Sequence, residues 1–94
     1  MKVQAHFIIT GRVQGVFYRA SAVDEATRLG LSGWARNRRS GDVELVAYGD
    51  AALIDQLESW LWHGPRMAMV TGLVRQEQVP EEWEEGVFRI RGTL

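Results

Sequence analysis

The chain has no cysteine, which removes disulfides, thiolate metal sites and thiol nucleophiles at once. It has only two histidines, His6 and His63, and neither has an Asp, a Ser or a second His at triad or metal-site spacing. They read as a surface imidazole and a helix C-terminal partner. Charge of one sign is also lacking. Eleven Lys and Arg against 12 Asp and Glu leave a formal net charge of −1, whereas a general nucleic-acid surface needs a basic excess. No apolar run approaches the length that spans a bilayer. Met1-Lys2-Val3-Gln4 shows no signal-peptide h-region and leads straight into a strand. These absences point to a cytoplasmic protein with neither nucleic acid nor membrane as a partner.

What is present is enough for one small core. Ninety-four residues, 46% of them apolar, suit a single domain over 1–94 that folds without covalent staples. Val3, Ala5, Phe7 and Ile9 share one parity and predict a strand over 3–10. Residues 18–29 predict a helix with Ala22, Val23, Ala26 and Leu29 inside and Asp24, Glu25 and Arg28 outside, stopped by Gly30. Strands over 31–37 and 43–48 flank a hairpin, Arg38-Arg39-Ser40-Gly41-Asp42. Asp50 is placed to cap a helix over 51–63, in which Leu53, Leu57 and Leu61 recur every four residues. Gly64-Pro65 ends it. Strands over 67–76 and 87–91 follow, separated by Glu81, Glu82, Glu84 and Glu85 around Trp83, which read as a solvated acidic turn.

The order is βαββαβ plus an added C-terminal strand, an α+β pattern of the ferredoxin-like α/β sandwich type, with two helices on one face of a mainly antiparallel sheet. Such a sheet runs its first and second strands the same way, with the third antiparallel between them. The loop after the first strand and the end of the second then emerge on one edge, about 10 Å apart. Arg19 and Asn37 stand at those two places.

Gly11-Arg12-Val13-Gln14-Gly15-Val16-Phe17-Tyr18-Arg19 joins the first strand to the first helix. Glycines at 11 and 15 let backbone N–H groups approach an anion near the positive end of the helix. Arg19 adds a guanidinium that can grip two phosphate oxygens. No Gly-Lys-Ser/Thr follows, so a nucleotide is not implied. On spacing alone, an ordinary glycine-rich turn with a solvated arginine is an equal reading. Asn37 closes Gly33-Trp34-Ala35-Arg36-Asn37 on the parity of Leu31, Gly33 and Ala35. Its amide either serves the hairpin's own backbone or holds a water molecule, since it both donates and accepts. Arg36, Arg38 and Arg39 beside it could focus anions toward the site, although a solvated hairpin accounts for most of them.

The run Gly11–Arg19 resembles the signature of the acylphosphatases, and the stretch ending at Asn37 is similar to that family's second motif. The run His63-Gly64-Pro65-Arg66-Met67-Ala68-Met69-Val70 is similar to its junction between second helix and fourth strand. Phe88-Arg89-Ile90-Arg91 resembles its last strand. The resemblance departs at Phe17-Tyr18, where the family often has a small residue before a single aromatic. It departs again after Arg91, where the family often ends in tyrosine and this chain continues Gly92-Thr93-Leu94.

The resemblance implies hydrolysis of the carboxyl–phosphate bond of a small acyl phosphate to a carboxylate and inorganic phosphate. It also implies that neither cofactor nor metal is required; a monomer is the expectation for so small a single domain. By the same resemblance the backbone of Gln14, Gly15, Val16, Phe17, Tyr18 and Arg19 binds phosphate together with the Arg19 side chain, and Asn37 orients the attacking water. Two rivals come from other classes, a non-catalytic ferredoxin-like module binding an anion or small ligand and an RNA-recognition domain. The second would expose aromatic and basic residues across the sheet.

Overall fold

Alternation in the first segment becomes strand β1 (Lys2–Arg12), with Ala5, Phe7 and Ile9 fully buried, in a computed structural model that describes residues 1–94. Helix α1 (Tyr18–Arg28), strands β2 (Ser32–Asn37) and β3 (Val43–Asp50), helix α2 (Ala51–His63) and strands β4 (Met69–Gln78) and β5 (Phe88–Arg91) complete the chain. The five strands form one sheet in the order β4-β1-β3-β2-β5. β3 lies antiparallel between β1 and β2, while β5 runs parallel to β2. The end of β1 and the end of β2 therefore share an edge of the sheet, as the element order predicts.

Both helices cover one face. Ala22, Ala26 and Leu29 of α1 and its C-cap, with Ile54, Leu57 and Leu61 of α2, meet Ala5, Phe7, Ile9, Ala35, Leu45 and Ala47 of the sheet in a single core. Each fully buried Leu, Ile or Phe stabilises this core by roughly 1.5–3 kcal/mol. The Asp50 carboxylate accepts from the Ala52 N–H at 3.0 Å and caps α2. Tyr18 at the start of α1 is buried, and its hydroxyl donates to the Leu61 carbonyl at 2.6 Å. Gly64 makes room for this ring, since a Cβ there would stand 2.7 Å from it. The N-terminus of α1 is thus pinned to the C-terminus of α2.

Three local differences from the sequence reading have physical causes. β1 runs to Arg12 because a register shift between Thr10 and Gly11 keeps it paired with β4 as far as Met69. β4 begins two residues later than the apolar run suggests, because Ala68 N–H donates to the Pro65 carbonyl at 3.0 Å in a turn that takes up Met67 and Ala68. The acidic stretch is a strap across the face opposite the helices. Buried Gln4 accepts from the Glu81 N–H and the Trp83 indole and donates to Gln78 and Glu81, all within 3.0 Å.

His6 is a half-buried imidazole on the open face of the sheet, paired rather than free. Its Nε2 lies 2.7 Å from Glu44, which also accepts from Arg36 at 2.7 Å on the same open face. Burial by itself would push the Glu44 carboxyl up, but the hydrogen bonds from His6 and Arg36 outweigh it and hold the group below the usual carboxylate range.

Candidate active site

Between β1 and α1 the chain makes a loop that two valines hold down and whose one aromatic, Phe17, stays exposed. Val13 and Val16 are buried. Gly15 (φ 73°) and Phe17 (φ 61°) take left-handed dihedrals that curl the backbone around the helix start. Phe17 is the N-cap residue of α1, and no side chain caps the helix. The first-turn N–H groups, which no helix can satisfy internally, are left for a ligand.

Arg19 sits on that first turn. Its Nη1 donates to the Arg91 carbonyl at 3.0 Å, so β5 fixes the direction of the guanidinium. No carboxylate lies within ion-pair distance of Arg19, and its charge is unneutralised. The residues after Arg91 do not reach it with an acid. Leu94 instead pairs its backbone with β2 and the hairpin, N–H to the Asn37 carbonyl at 3.1 Å and carbonyl to the Arg39 N–H at 2.9 Å.

Asn37 ends β2 on the helix-facing parity expected of it. Its Oδ1 is shut away from bulk solvent and has no hydrogen-bond partner, an uncommon condition for an amide oxygen. Arg19 and Asn37, 18 positions apart in the chain, line the same pocket. Its volume is about 430 Å³, and Val13, Gln14, Gly15, Phe17, Tyr18 and Ala20 complete the wall. Val16, expected among the phosphate-binding loop residues, turns into the core and does not line the pocket. No Asp, Glu or His lines the pocket. The Tyr18 phenol is pushed well above its usual range by burial and stays a proton donor to Leu61.

The residue that sequence reasoning undervalued is Gln14. Its side-chain Nε2 donates to the carbonyls of Arg38 at 2.7 Å and Asp42 at 2.8 Å, tying the loop to the hairpin that follows Asn37. The sequence signal was only its place in the run; nothing local reports a bond across 24 positions. The flanking arginines do not line the pocket. Arg36 pairs with Glu44 on the open face, Arg38 stands 3.4 Å from Asp42, and Arg39 is exposed. No group of three or more His, Cys, Asp or Glu is placed to hold a metal ion.

An unneutralised arginine, uncapped helix amides and an unpartnered amide oxygen around one pocket suit a small phosphate ester or anhydride. Comparison with known proteins names the chemistry. The acylphosphatase family model matches residues 5–90. An acylphosphatase of Methylococcus capsulatus is 53% identical over 83 residues, covering 87% of this chain and 90% of that one. The structure of an acylphosphatase from Coxiella burnetii superposes with a TM-score of 0.90 at 42% identity, over 96% of this chain and 93% of the other. The crystal structure of the Bacillus subtilis acylphosphatase gives 0.89 at 32%, over 97% and 99%. These matches decide against the two rival readings: the chain belongs to the acylphosphatase family and is a hydrolase of acyl phosphates.

Proposed function

We propose that the 1–94 domain works as a metal-independent monomer in the cytoplasm, with Arg19 and the loop amides of residues 14–19 binding the phosphate and Asn37 orienting the attacking water. The observation that carries this is the convergence of Arg19, the uncapped start of α1 and the unpartnered Asn37 amide on one pocket formed by a single chain.

The chemistry asks little of the protein. The acyl–phosphate bond is an activated anhydride whose carboxylate leaves without help from a strong acid. Positioning and charge neutralisation therefore supply most of the catalysis. The phosphate oxygens take the loop N–H groups and the Arg19 fork, which gain strength as charge redistributes in the transition state. Asn37 Oδ1 accepts a hydrogen bond from a water molecule and aims its lone pair at phosphorus. The water oxygen–phosphorus bond forms and the bridging P–O bond breaks, with its electron pair leaving on the carboxylate. The water proton passes to a non-bridging phosphate oxygen, so no protein base is needed.

The test measures turnover on a simple acyl phosphate and affinity for inorganic phosphate in the same variants. Arg19→Ala loses both, with activity down by about two to three orders of magnitude. Asn37→Ala loses turnover while retaining most of its phosphate affinity, because its contact matters mainly in the transition state. Equal losses of turnover and affinity in Asn37→Ala would reassign Asn37 to anchoring phosphate. Loss of parent activity on dialysis against a chelator would overturn the metal-independent part.

A further inference from the structure

Phe17 stands out from every other residue in the structure. It is the only non-glycine residue with positive φ, in a region that bulky side chains rarely occupy. It is also 84% exposed, so its ring gains almost nothing from packing. Gly or Asn would take the same dihedral with less strain and would expose no ring. Two local costs fall on one side chain, and that side chain lines the pocket shared by Arg19 and Asn37.

The pocket wall is divided by polarity. Arg19, Asn37 and Gln14 supply its polar part, and Val13, Phe17, Tyr18 and Ala20 its apolar part. Of the four apolar residues, Val13 and Tyr18 are sealed beneath the surface. Phe17 is the one that leaves a large apolar surface free for a ligand. An acyl phosphate is divided in the same way, with a dianionic end and a carbon end. Phe17 is the N-cap residue of α1 and shares the pocket with Arg19 and Asn37, so its ring stands next to the helix start proposed to hold the phosphate.

We infer that the Phe17 ring is a platform for the acyl group and biases the enzyme toward acyl phosphates with aromatic or extended apolar acyl groups over short ones. This rests on the phosphate-end assignment proposed above. A substrate that covers the ring removes apolar surface from water on both partners and gains offset or edge contacts if it is aromatic. An acetyl group is too short to do either.

The test compares kcat/KM for benzoyl phosphate and acetyl phosphate in the parent, Phe17→Asn and Phe17→Tyr, with inorganic phosphate as a competing inhibitor throughout. Both substrates present the same phosphate, so any disturbance of the loop divides out of their ratio. Asn suits the left-handed dihedral and removes the platform; Tyr keeps it. The benzoyl-to-acetyl ratio is expected to fall about three- to tenfold in Phe17→Asn and to stay near the parent value in Phe17→Tyr. An unchanged ratio in Phe17→Asn, or a Tyr variant as depressed as Asn, overturns the inference. Failure of phosphate to compete in the parent would overturn the site assignment instead, a separate and distinguishable outcome.

Discussion

Gln14 and Arg38 are joined by a hydrogen bond of 2.7 Å from the Gln14 side chain to the Arg38 backbone carbonyl. Arg38 follows Asn37 directly, so this bond and its neighbour to Asp42 set where the loop stands relative to the Asn37 amide. Gln14→Ala should lower kcat about ten- to a hundredfold, the scale on which small misplacements of a reacting group act. Affinity for inorganic phosphate should change far less, because the backbone N–H groups remain. Gln14→Glu should be worse, since a carboxylate would face two carbonyl oxygens and lie near the bound anion. Kinetics well below Tm check this, and parallel losses of kcat and phosphate affinity would speak against a positioning role.

Arg19 meets the Arg91 carbonyl with one nitrogen and leaves the rest of its fork toward the pocket. Inorganic phosphate should therefore raise Tm, in proportion to the logarithm of its concentration above Kd. Arg19→Lys should lose most of that shift, because an ammonium cannot grip two oxygens while holding the Arg91 carbonyl. Thermal unfolding at constant ionic strength is the measurement, and a full shift retained in the lysine variant would refute the bidentate assignment.

Glu44 gives the fold an acid-sensitive term. Its carboxyl titrates lower in the folded chain than its ordinary value of 4.5, the bonds from His6 and Arg36 outweighing burial. A carboxyl with a depressed folded pKa stabilises fully above its unfolded pKa, and that stabilisation is lost as pH falls through the folded value. Glu44→Gln should thus lower Tm at neutral pH, and the gap from the parent should close as pH falls below about 4.5. Melting curves from pH 3 to 7 would show it. A gap constant with pH would mean that the ion pair contributes nothing.

Gly64→Ala is expected to cost roughly 1–3 kcal/mol in urea unfolding. Its φ of 65° strains any side chain, and the new Cβ would meet the Tyr18 ring at 2.7 Å. Because Tyr18 precedes Arg19, KM should also rise. A variant as stable as the parent would mean that the α1–α2 junction yields easily.

Much of this is legible in the sequence, for physical reasons. Helix α2 has the boundaries that Asp50 and Gly64 predict, since a capping carboxylate and a left-handed stop are local devices. Asn37 has the parity of Leu31, Gly33 and Ala35 because strand geometry leaves no other choice. The features that escaped depend on partners distant in the chain. Gln4 and His6 look like free polar residues on an outward parity until the strap buries the first and Glu44 pairs with the second. The run from Met67 to Val70 is continuously apolar, so hydropathy alone could not show that the Pro65–Ala68 turn takes its first half. Gln14 is polar and sits in a loop, where no periodicity reports a role.

The sheet order also governs when the fold can exist. β1 is the first strand made, yet it lies inside the sheet, and its neighbour β4 begins only at Met69. Gln4 pairs across to Gln78, 74 positions later. On a ribosome adding about 5–20 residues per second, β1 spends seconds with one edge unpaired and its apolar parity only partly covered. Closing such distant pairs costs loop entropy before contacts repay it, which places folding toward the slow end for a domain of this size. The interior position that lets β1 present the loop beside Asn37 also leaves the nascent chain with an unpaired strand edge until β4 is made.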